Sequence, residues 1–268
     1  MKEKTNIVFV VLTYANTTDI TDFLQSLCNI KTDYKVVIVN SFYNEYTLKE
    51  CKKIAEDNNC LFLSVPNKGY SAGNNKGIEY ANEHYDYNYL IISNPDILIK
   101  EFDYEVLENN RGKVIGPEII TSKGKRQNPF YVDKKIFPKQ EYYFLKNKFK
   151  LGYFAIIAIN KLKKQIFFTK MKWKNSNEER VYALHGSFII LSREALTKLG
   201  IVFDENMFLF CEEMVLAEEM KRKKIEAIYS NRLQVYHKED GSMRFLKGSM
   251  YDEEVKSNGY VYNKYFRK

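Results

Sequence analysis

Four short stretches of this chain place reactive or phosphate-friendly groups where chemistry could use them. The first is 93-SNPDI-97, where the apolar run Leu90-Ile91-Ile92 stops on a proline and a single carboxylate, Asp96. Asn-Pro and Pro-Asp are turn dipeptides, so a plain turn is one reading. The other is a carboxylate offered to Mg2+ or Mn2+, hard cations that take carboxylate, water and phosphate oxygens. A single protein carboxylate suffices there when a diphosphate supplies the remaining oxygens, and Pro95 would aim Asp96 outward. The second stretch is 66-PNKGYSAGNNKGIEYA-81, in which Gly69 and Gly73 permit tight backbone and Gly77 falls on the opening turn of a helix. Free N–H groups and the positive dipole end of a helix suit phosphate. The spacing is neither GxGxxG nor GxxxxGK[ST], which counts against a Rossmann cofactor or a P-loop. An ordinary strand–loop–helix joint is the alternative.

The third stretch, 203-FDENMFLFCEEMVLAEEMKRKK-224, opens a helix on Glu212-Glu213 after an aromatic run. Acids on a first helical turn complement the dipole, which is reason enough for them to be there. The chemical reading is a general base beside a pocket, its pKa raised by the aromatic wall. The fourth, 233-LQVYHKEDGSM-243, puts His237 just past a short strand, where it could ligate a metal. Taken singly, His84 and His185 read as structural.

The elements that must position these groups follow from periodicity. Ile7 to Leu12, Val36 to Val39, Leu61 to Leu63 and Tyr89 to Ile92 are short continuous apolar runs. Helical spacing fills 17–29, 46–58 and about 71–84. Such alternation predicts a parallel sheet covered on both faces, with ligands at the carboxyl ends of its strands. Four polar loops lie there: 13-TYANT-17, 40-NSFYN-44, 66-PNKGYSAGNN-75 and 93-SNPD-96. They predict one crevice. Beyond about residue 120 the pattern changes. Residues 121–133 read as loop, 181–192 as strand, 203–224 as loop then helix, and 227–229 and 233–237 as two further strands.

With 268 residues, 45% of them hydrophobic, the chain can bury one or two cores. No apolar run approaches the roughly 20 residues that span a bilayer, and the N-terminal apolar run is too short for a signal peptide. Four scattered cysteines without a CxxC pair argue against a zinc site or a disulfide framework and fit a reducing compartment. Net charge is +8, yet residues 134–174 hold twelve lysines against one acid, Glu141, so the rest of the chain is net −3. Aromatic residues from Phe137 to Trp173 are interleaved with those lysines. Basic amphipathic stretches with interfacial aromatics lie on anionic membranes, each lysine near the surface contributing about 1 kcal/mol. A solvated helical hairpin, a homodimer contact and a nucleic-acid surface are the competing readings. Arginine is nearly absent from the segment and no nucleic-acid motif accompanies it, so no nucleic-acid partner is expected.

Taken in order, 12-LTYANTTDI-20, 67-NKGYSAGNNKGI-78, 93-SNPDI-97, 186-GSFIILSREAL-196, 203-FDENMFLFCEEMVL-216 and 237-HKEDGS-242 resemble the inverting family 2 glycosyltransferases of GT-A fold, in particular the rhamnosyltransferase-like branch. The resemblance covers about residues 5–242. It implies an α/β fold: a mostly parallel sheet flanked by helices, with a basic aromatic helical insertion. Within this single domain, 1–120 would be the nucleotide-sugar half, 121–180 a basic segment facing membrane or partner, and 181–268 the acceptor half. By the same resemblance, Asp96 binds the Mg2+ or Mn2+ that holds the donor diphosphate, and His237 completes the metal site. Asn94 sits beside the donor. Thr13, Tyr14, Asn67, Gly69 and Asn75 line the nucleotide site, with helix N–H groups near Gly73 facing the diphosphate. Glu213 is the catalytic base, with Glu212 as the alternative. Gly186 and Ser187, preceded by His185, match the acceptor side.

Two positions depart from the family pattern. Asn40 stands where an Asp usually meets the nucleotide, which leaves UDP and dTDP both open. Glu213 stands where the base is usually Asp, moving the carboxylate by one methylene. The implied activity is transfer of a sugar from a nucleotide-diphosphate donor, dTDP-rhamnose or a UDP-sugar, to a saccharide acceptor. A lipid-linked acceptor, cell-surface polysaccharide synthesis and a peripheral place on the cytoplasmic face of the plasma membrane are the expected setting. A nucleotide-sugar-binding protein that has lost catalysis is the alternative.

Overall fold

A computed structural model describes residues 2–134, 138–239 and 249–267. Lys135 to Phe137 of the basic segment, and Asp240 to Ser242 of the late-histidine stretch, lie outside the described residues. Chain order begins β1 (Glu3–Thr13), α1 (Thr18–Ser26), β2 (Tyr34–Ser41), α2 (Glu45–Asp57), β3 (Leu61–Val65), α3 (Tyr70–His84) and β4 (Tyr85–Ser93). It continues through β5 (Ile97–Phe102), α4 (Tyr104–Asn109), β6 (Val114–Thr121), α5 (Pro138–Lys146), α6 (Lys150–Lys174) and β7 (Glu178–Val181). The last elements are β8 (Phe188–Ser192), α7 (Arg193–Leu199), α8 (Glu212–Arg222), β9 (Ala227–His237) and α9 (Met250–Val261).

Among the described residues the strands form one sheet in the order β3-β2-β1-β4-β8-β6-β9-β5, with β7 also paired to β9. The first four strands are mutually parallel, as their continuous apolar runs predict. Beyond β4 the sheet is mixed: β8 is antiparallel to β4 and β6, β9 is parallel to β6, and β5 is antiparallel to β9. This is the mixed α/β arrangement of a GT-A fold. Ile7 to Val11 are fully buried, because β1 is covered on both faces. Its alternate residues enter two different cores, Val8 and Val10 on the α3 side, Ile7, Phe9 and Val11 on the α1 side.

Tertiary pairing overrides several sequence readings. The two expected strands at 227–229 and 233–237 are one strand. The polar Ser230-Asn231-Arg232 between them is carried through by a bulge against Pro117/Glu118 of β6. Residues 181–192 are not one strand: β7 ends at Val181 and β8 begins at Phe188, with an irregular turn holding His185 to Ser187 between. The strand 114–121, the first part of which lies in no expected element, pairs with both β8 and β9. Residues 138–146 and 150–174 are helical, and among the described residues no helix is long and apolar enough to cross a membrane. All four cysteines are free thiols.

Candidate active site

Because β1 to β4 are parallel, the ends of all four open on the same edge, and the turn after β4 carries Asn94 and Asp96. The backbone N–H of Asn94 donates to the Ser187 carbonyl (2.9 Å), and that of Lys238 donates to the Asp96 carbonyl (3.0 Å). Ile97 pairs with His237 across the β5–β9 ladder, so sheet register alone brings Asp96 and His237 together. Asp96 Oδ2 lies 3.2 Å from His237 Nε2, and both side chains are buried. His237 Nδ1 faces Gln127 Oε1 at 2.7 Å, and Gln127 in turn donates its amide to Glu239 Oε1 (3.2 Å). That orientation makes Nδ1 the donor and leaves the Nε2 lone pair facing a carboxylate oxygen. Two acceptors at 3.2 Å need a proton or a cation between them. The pair therefore fits a divalent cation with one carboxylate and one imidazole, the tautomer being fixed from behind as metal-ligating histidines are. Among the described residues no three His, Cys, Asp or Glu side chains gather into a closed metal site, so further ligands would have to come from a bound diphosphate or water.

Ser187 and Gly186 join this corner to the acids. Gly186 N–H donates to Glu213 Oε1 (3.1 Å), and its carbonyl accepts the Tyr70 hydroxyl (2.8 Å). Phe210 and Cys211 just before α8 both have left-handed backbone, φ 72° and 68°. Such φ values are costly for non-glycine residues and mark functional turns. Here they swing the first turn of α8 toward the cavity. Glu212 is buried, and its Oε1 has no hydrogen-bond partner among the described residues. Burial first, and then the neighbouring Glu213 charge, push its carboxyl up to about 8. His185 is held neutral, pushed down to about 3 chiefly by burial, with the neighbouring Lys164 charge adding to the effect. Its Nδ1 accepts the Ser187 backbone N–H (3.2 Å), and the His185 backbone N–H donates to Asn128 Oδ1 (2.7 Å).

A cavity of about 360 Å³ lies beside the two acids; Asn94 reaches it from the turn after β4, whereas Asp96 and His237 do not line it. Glu212, Glu213, Asn94 and residues 185–187 form part of its wall, and Tyr153 of α6 with Glu254 and Asn258 of α9 close it. Sequence reasoning missed those last three, and Gln127 and Asn128 behind the histidines. Gln127 and Asn128 precede Pro129 in a stretch read as loop. Tyr153, Glu254 and Asn258 are common residue types in ordinary helices, so no local signal marks them.

The residues expected on the nucleotide side divide into two groups. Tyr14 packs edge-on against Tyr43, ring centroids 5.2 Å apart, and hydrogen-bonds Asn67; all three stand at the open ends of β1, β2 and β3. Thr13 is buried and donates to the Asn16 carbonyl (2.9 Å), shaping the loop rather than facing it. Asn40 is fully buried, with Nδ2 3.3 Å from Ser64 Oγ and Oδ1 unpartnered among the described residues. Gly73 and Asn75 serve the scaffold. The Gly73 N–H is already bonded to the Gly69 carbonyl (3.2 Å), and a Cβ there would lie 2.5 Å from Leu12. Gly77, expected on an opening turn, lies well inside α3, where a Cβ would meet Val10 and Val39. Asn75 clamps the loop before α8, donating to the Phe203 carbonyl (2.8 Å) and accepting the Phe203 N–H (3.2 Å). Gly69 caps α3 at φ +98°, where a Cβ would fall 2.1 Å from the Phe208 carbonyl oxygen. The same carbonyl accepts the Tyr70 N–H (2.9 Å), so α3 and the approach to Glu213 are locked together.

The mixed sheet flanked by helices, with four parallel strands ending on one edge, is consistent with a GT-A fold. The sequence pattern described as Glycosyl transferase family 2 matches residues 8–200, and the chain belongs to that family. No curated protein sequence matches the chain closely enough to be called a relative. Among solved structures, the chain is similar to GalNAc-T7, crystallised with UDP, GalNAc and Mn2+, at TM-score 0.61 and 13% identity, covering 98% of this chain and 48% of that one. It is also similar to TarS of S. aureus, at TM-score 0.55 and 13% identity over 87% of this chain and 36% of that one. A shorter TarS structure, residues 1–349, gives 0.51 and 14%, covering 84% and 60%. The chain thus spans less than two thirds of each of these proteins.

Proposed function

We propose that this protein is an inverting glycosyltransferase that moves a sugar from a nucleotide-diphosphate donor to a saccharide hydroxyl. The observation that carries the reading is the short turn at 186–187, which hydrogen-bonds Glu213 through Gly186 N–H and the Asn94–Asp96 corner through Ser187 O. One rigid turn thereby sets the distance between a base and a diphosphate site, as a single displacement requires. Asp96 and His237 would hold Mg2+ or Mn2+, which supplies charge neutralisation for the departing diphosphate. Tyr14, Tyr43 and Asn67 would face the nucleoside at the strand ends. Glu213 takes the acceptor hydroxyl proton, and the acceptor oxygen bonds to the anomeric carbon as the sugar–phosphate bond breaks with its electron pair leaving on the diphosphate. The inversion follows from attack opposite that leaving group. Glu212, protonated near neutral pH, keeps the adjacent pair from carrying two charges, one of them buried. Mn2+ and UDP in GalNAc-T7 support the cofactor and donor classes; dTDP-rhamnose remains the donor favoured by the motif resemblance. The acceptor we infer is lipid-linked, in cell-surface polysaccharide synthesis on the cytoplasmic face of the membrane.

Thermal unfolding with UDP, dTDP and GDP, each with and without Mn2+, tests the donor site. One nucleotide at about a hundred times its Kd should add about 2.7 kcal/mol. For a domain of this size that raises Tm by about 5–11 °C. Asp96→Ala should remove the Mn2+-dependent part of the shift. A panel in which no nucleoside diphosphate moves Tm overturns the proposal.

A further inference from the structure

Helix α6 presents two faces that differ in kind. Its inner face reaches the site: Tyr153 donates to Glu254 Oε1 (2.8 Å) in the cavity wall, and Lys164 Nζ donates to the Gln127 carbonyl (3.0 Å). Farther along, Phe167 and Met171 enter the core. Lys164, counted by sequence among the surface lysines, is thus turned inward, and burial pushes its amine down to about 8. The outer face carries Leu151, Ala155, Ala158, Leu162, Ile166 and Trp173, all exposed. Their spacing of three, four or seven residues puts them on one side of the helix. Leu151 is 76% exposed, Leu162 57% and Trp173 83%, and aligned on one side of the helix they form a contiguous apolar stripe of the kind that marks an interaction surface. Lys150, Lys161 and Lys172 border this stripe on one flank, and Lys163, Lys170 and Lys174 on the other. The helix holds seven lysines and no acid.

The charge pattern decides what can cover the stripe. A second copy of the chain, packed face to face, would set like-charged flanks against each other. A nucleic acid would satisfy the lysines and leave an aliphatic stripe in water, since bases stack on aromatic rings rather than on Leu, Ile and Ala. An anionic bilayer satisfies both parts, taking the apolar stripe into the acyl boundary and the lysines at the headgroups.

We propose that the outer face of α6 lies in the interface of an anionic bilayer, with the helix parallel to the membrane plane. Tyr153 on the opposite face lines the acceptor cavity, so docking brings that cavity to within about one helix diameter, about 10 Å, of the lipid surface. A saccharide anchored in the same membrane then reaches Glu213 without leaving it. The identity of that acceptor rests on the sugar-transfer reading; the docking does not.

The test is sedimentation of the full chain with vesicles of phosphatidylglycerol and phosphatidylcholine, against pure phosphatidylcholine. The protein should pellet with the anionic vesicles, and less so as salt rises. Leu162→Asp with Ile166→Asp should lower the partition coefficient about a hundredfold, each lost side-chain burial costing about tenfold or more. Ile201→Asp, at an apolar position still more exposed than Leu162 and Ile166 but on the loop after α7, should pellet like the parent. The two Leu162/Ile166 substitutions are at exposed positions, and an unchanged Tm verifies the fold. Equal pelleting of that double variant overturns the proposal, as does a parent protein that stays in the supernatant. So does a parent dimer in analytical ultracentrifugation that the double variant dissociates. Nucleotide-dependent Tm shifts do not involve this face, so a negative vesicle result beside positive shifts rejects the docking alone.

Discussion

Gly69→Ala probes the joint that couples the two halves of the site. The residue sits at φ +98° and ψ 176°, a region open essentially only to glycine, and forcing alanine there costs about 1–3 kcal/mol. The added Cβ would stand 2.1 Å from the Phe208 carbonyl oxygen, which is backbone and cannot rotate away. The carbonyl has to move by about an ångström to reach ordinary contact, releasing the Tyr70 N–H bond at a further cost of about 0.5–1.5 kcal/mol. Together these destabilise by about 2–4 kcal/mol, or about 4–16 °C in Tm for a domain of this size. Phe208 lies a few residues before Glu213, so the displacement should also lower turnover. Gly124→Ala is the control: its φ is +69° but nothing lies within 4 Å of its Cβ, so it carries backbone strain of about 1–2 kcal/mol and no clash. Scanning calorimetry of both variants beside transferase turnover separates the two effects. If Gly69→Ala melts as high as Gly124→Ala and turns over normally, the Phe208 contact does not couple α3 to the approach to Glu213.

Glu213→Gln keeps an Oε1 to accept the Gly186 N–H but cannot take a proton, so kcat should fall about 10²–10⁴-fold with Tm nearly unchanged. Full activity in that variant would remove Glu213 as the base. Glu212 makes a pH prediction with a definite sign. Its folded pKa of about 8 exceeds the ordinary 4.5, so the folded chain holds this proton more tightly than the unfolded one. Its contribution is fully present below about pH 4.5 and is lost as pH rises toward about 8. Glu212→Gln should therefore gain stability relative to the parent on going from pH 5 to pH 8 in chemical denaturation, whereas parallel curves would show that Glu212 titrates normally.

Much of the parallel part of the sheet is legible in the chain itself. Continuous apolar runs at Ile7–Leu12 and Val36–Val39 can be satisfied only by burial on both faces, and helical spacing between them leaves a parallel sheet as the solution. The polar loops then share one edge because parallel strands end on the same side. Patterns of residue type are weaker guides to roles. Gly73 and Asn75 sit in a loop–helix sequence that reads as phosphate-binding, yet Leu12 and the Phe203 backbone occupy them. A small residue serves a ligand and a packing contact equally well, and only the neighbour in space distinguishes the two.

The order of motifs and apolar runs along the chain points to the family and to four parallel strands, and it supplies Asp96, His237, Glu212 and Glu213. Which of those residues meet is set by the packing of the chain. Asp96 and His237 face each other because β5 pairs with β9 in a register that aligns Ile97 with His237. Glu213 stands at the cavity because two left-handed residues turn α8 inward and Gly186 leaves room for its carboxylate, a Cβ there falling 3.1 Å from Oε1. Tyr153 and Glu254, from helices distant in the chain, share that cavity through a hydrogen bond that no local spacing encodes. Periodicity reports which face of an element is buried, whereas register, backbone strain and long-range contact depend on the packed chain as a whole.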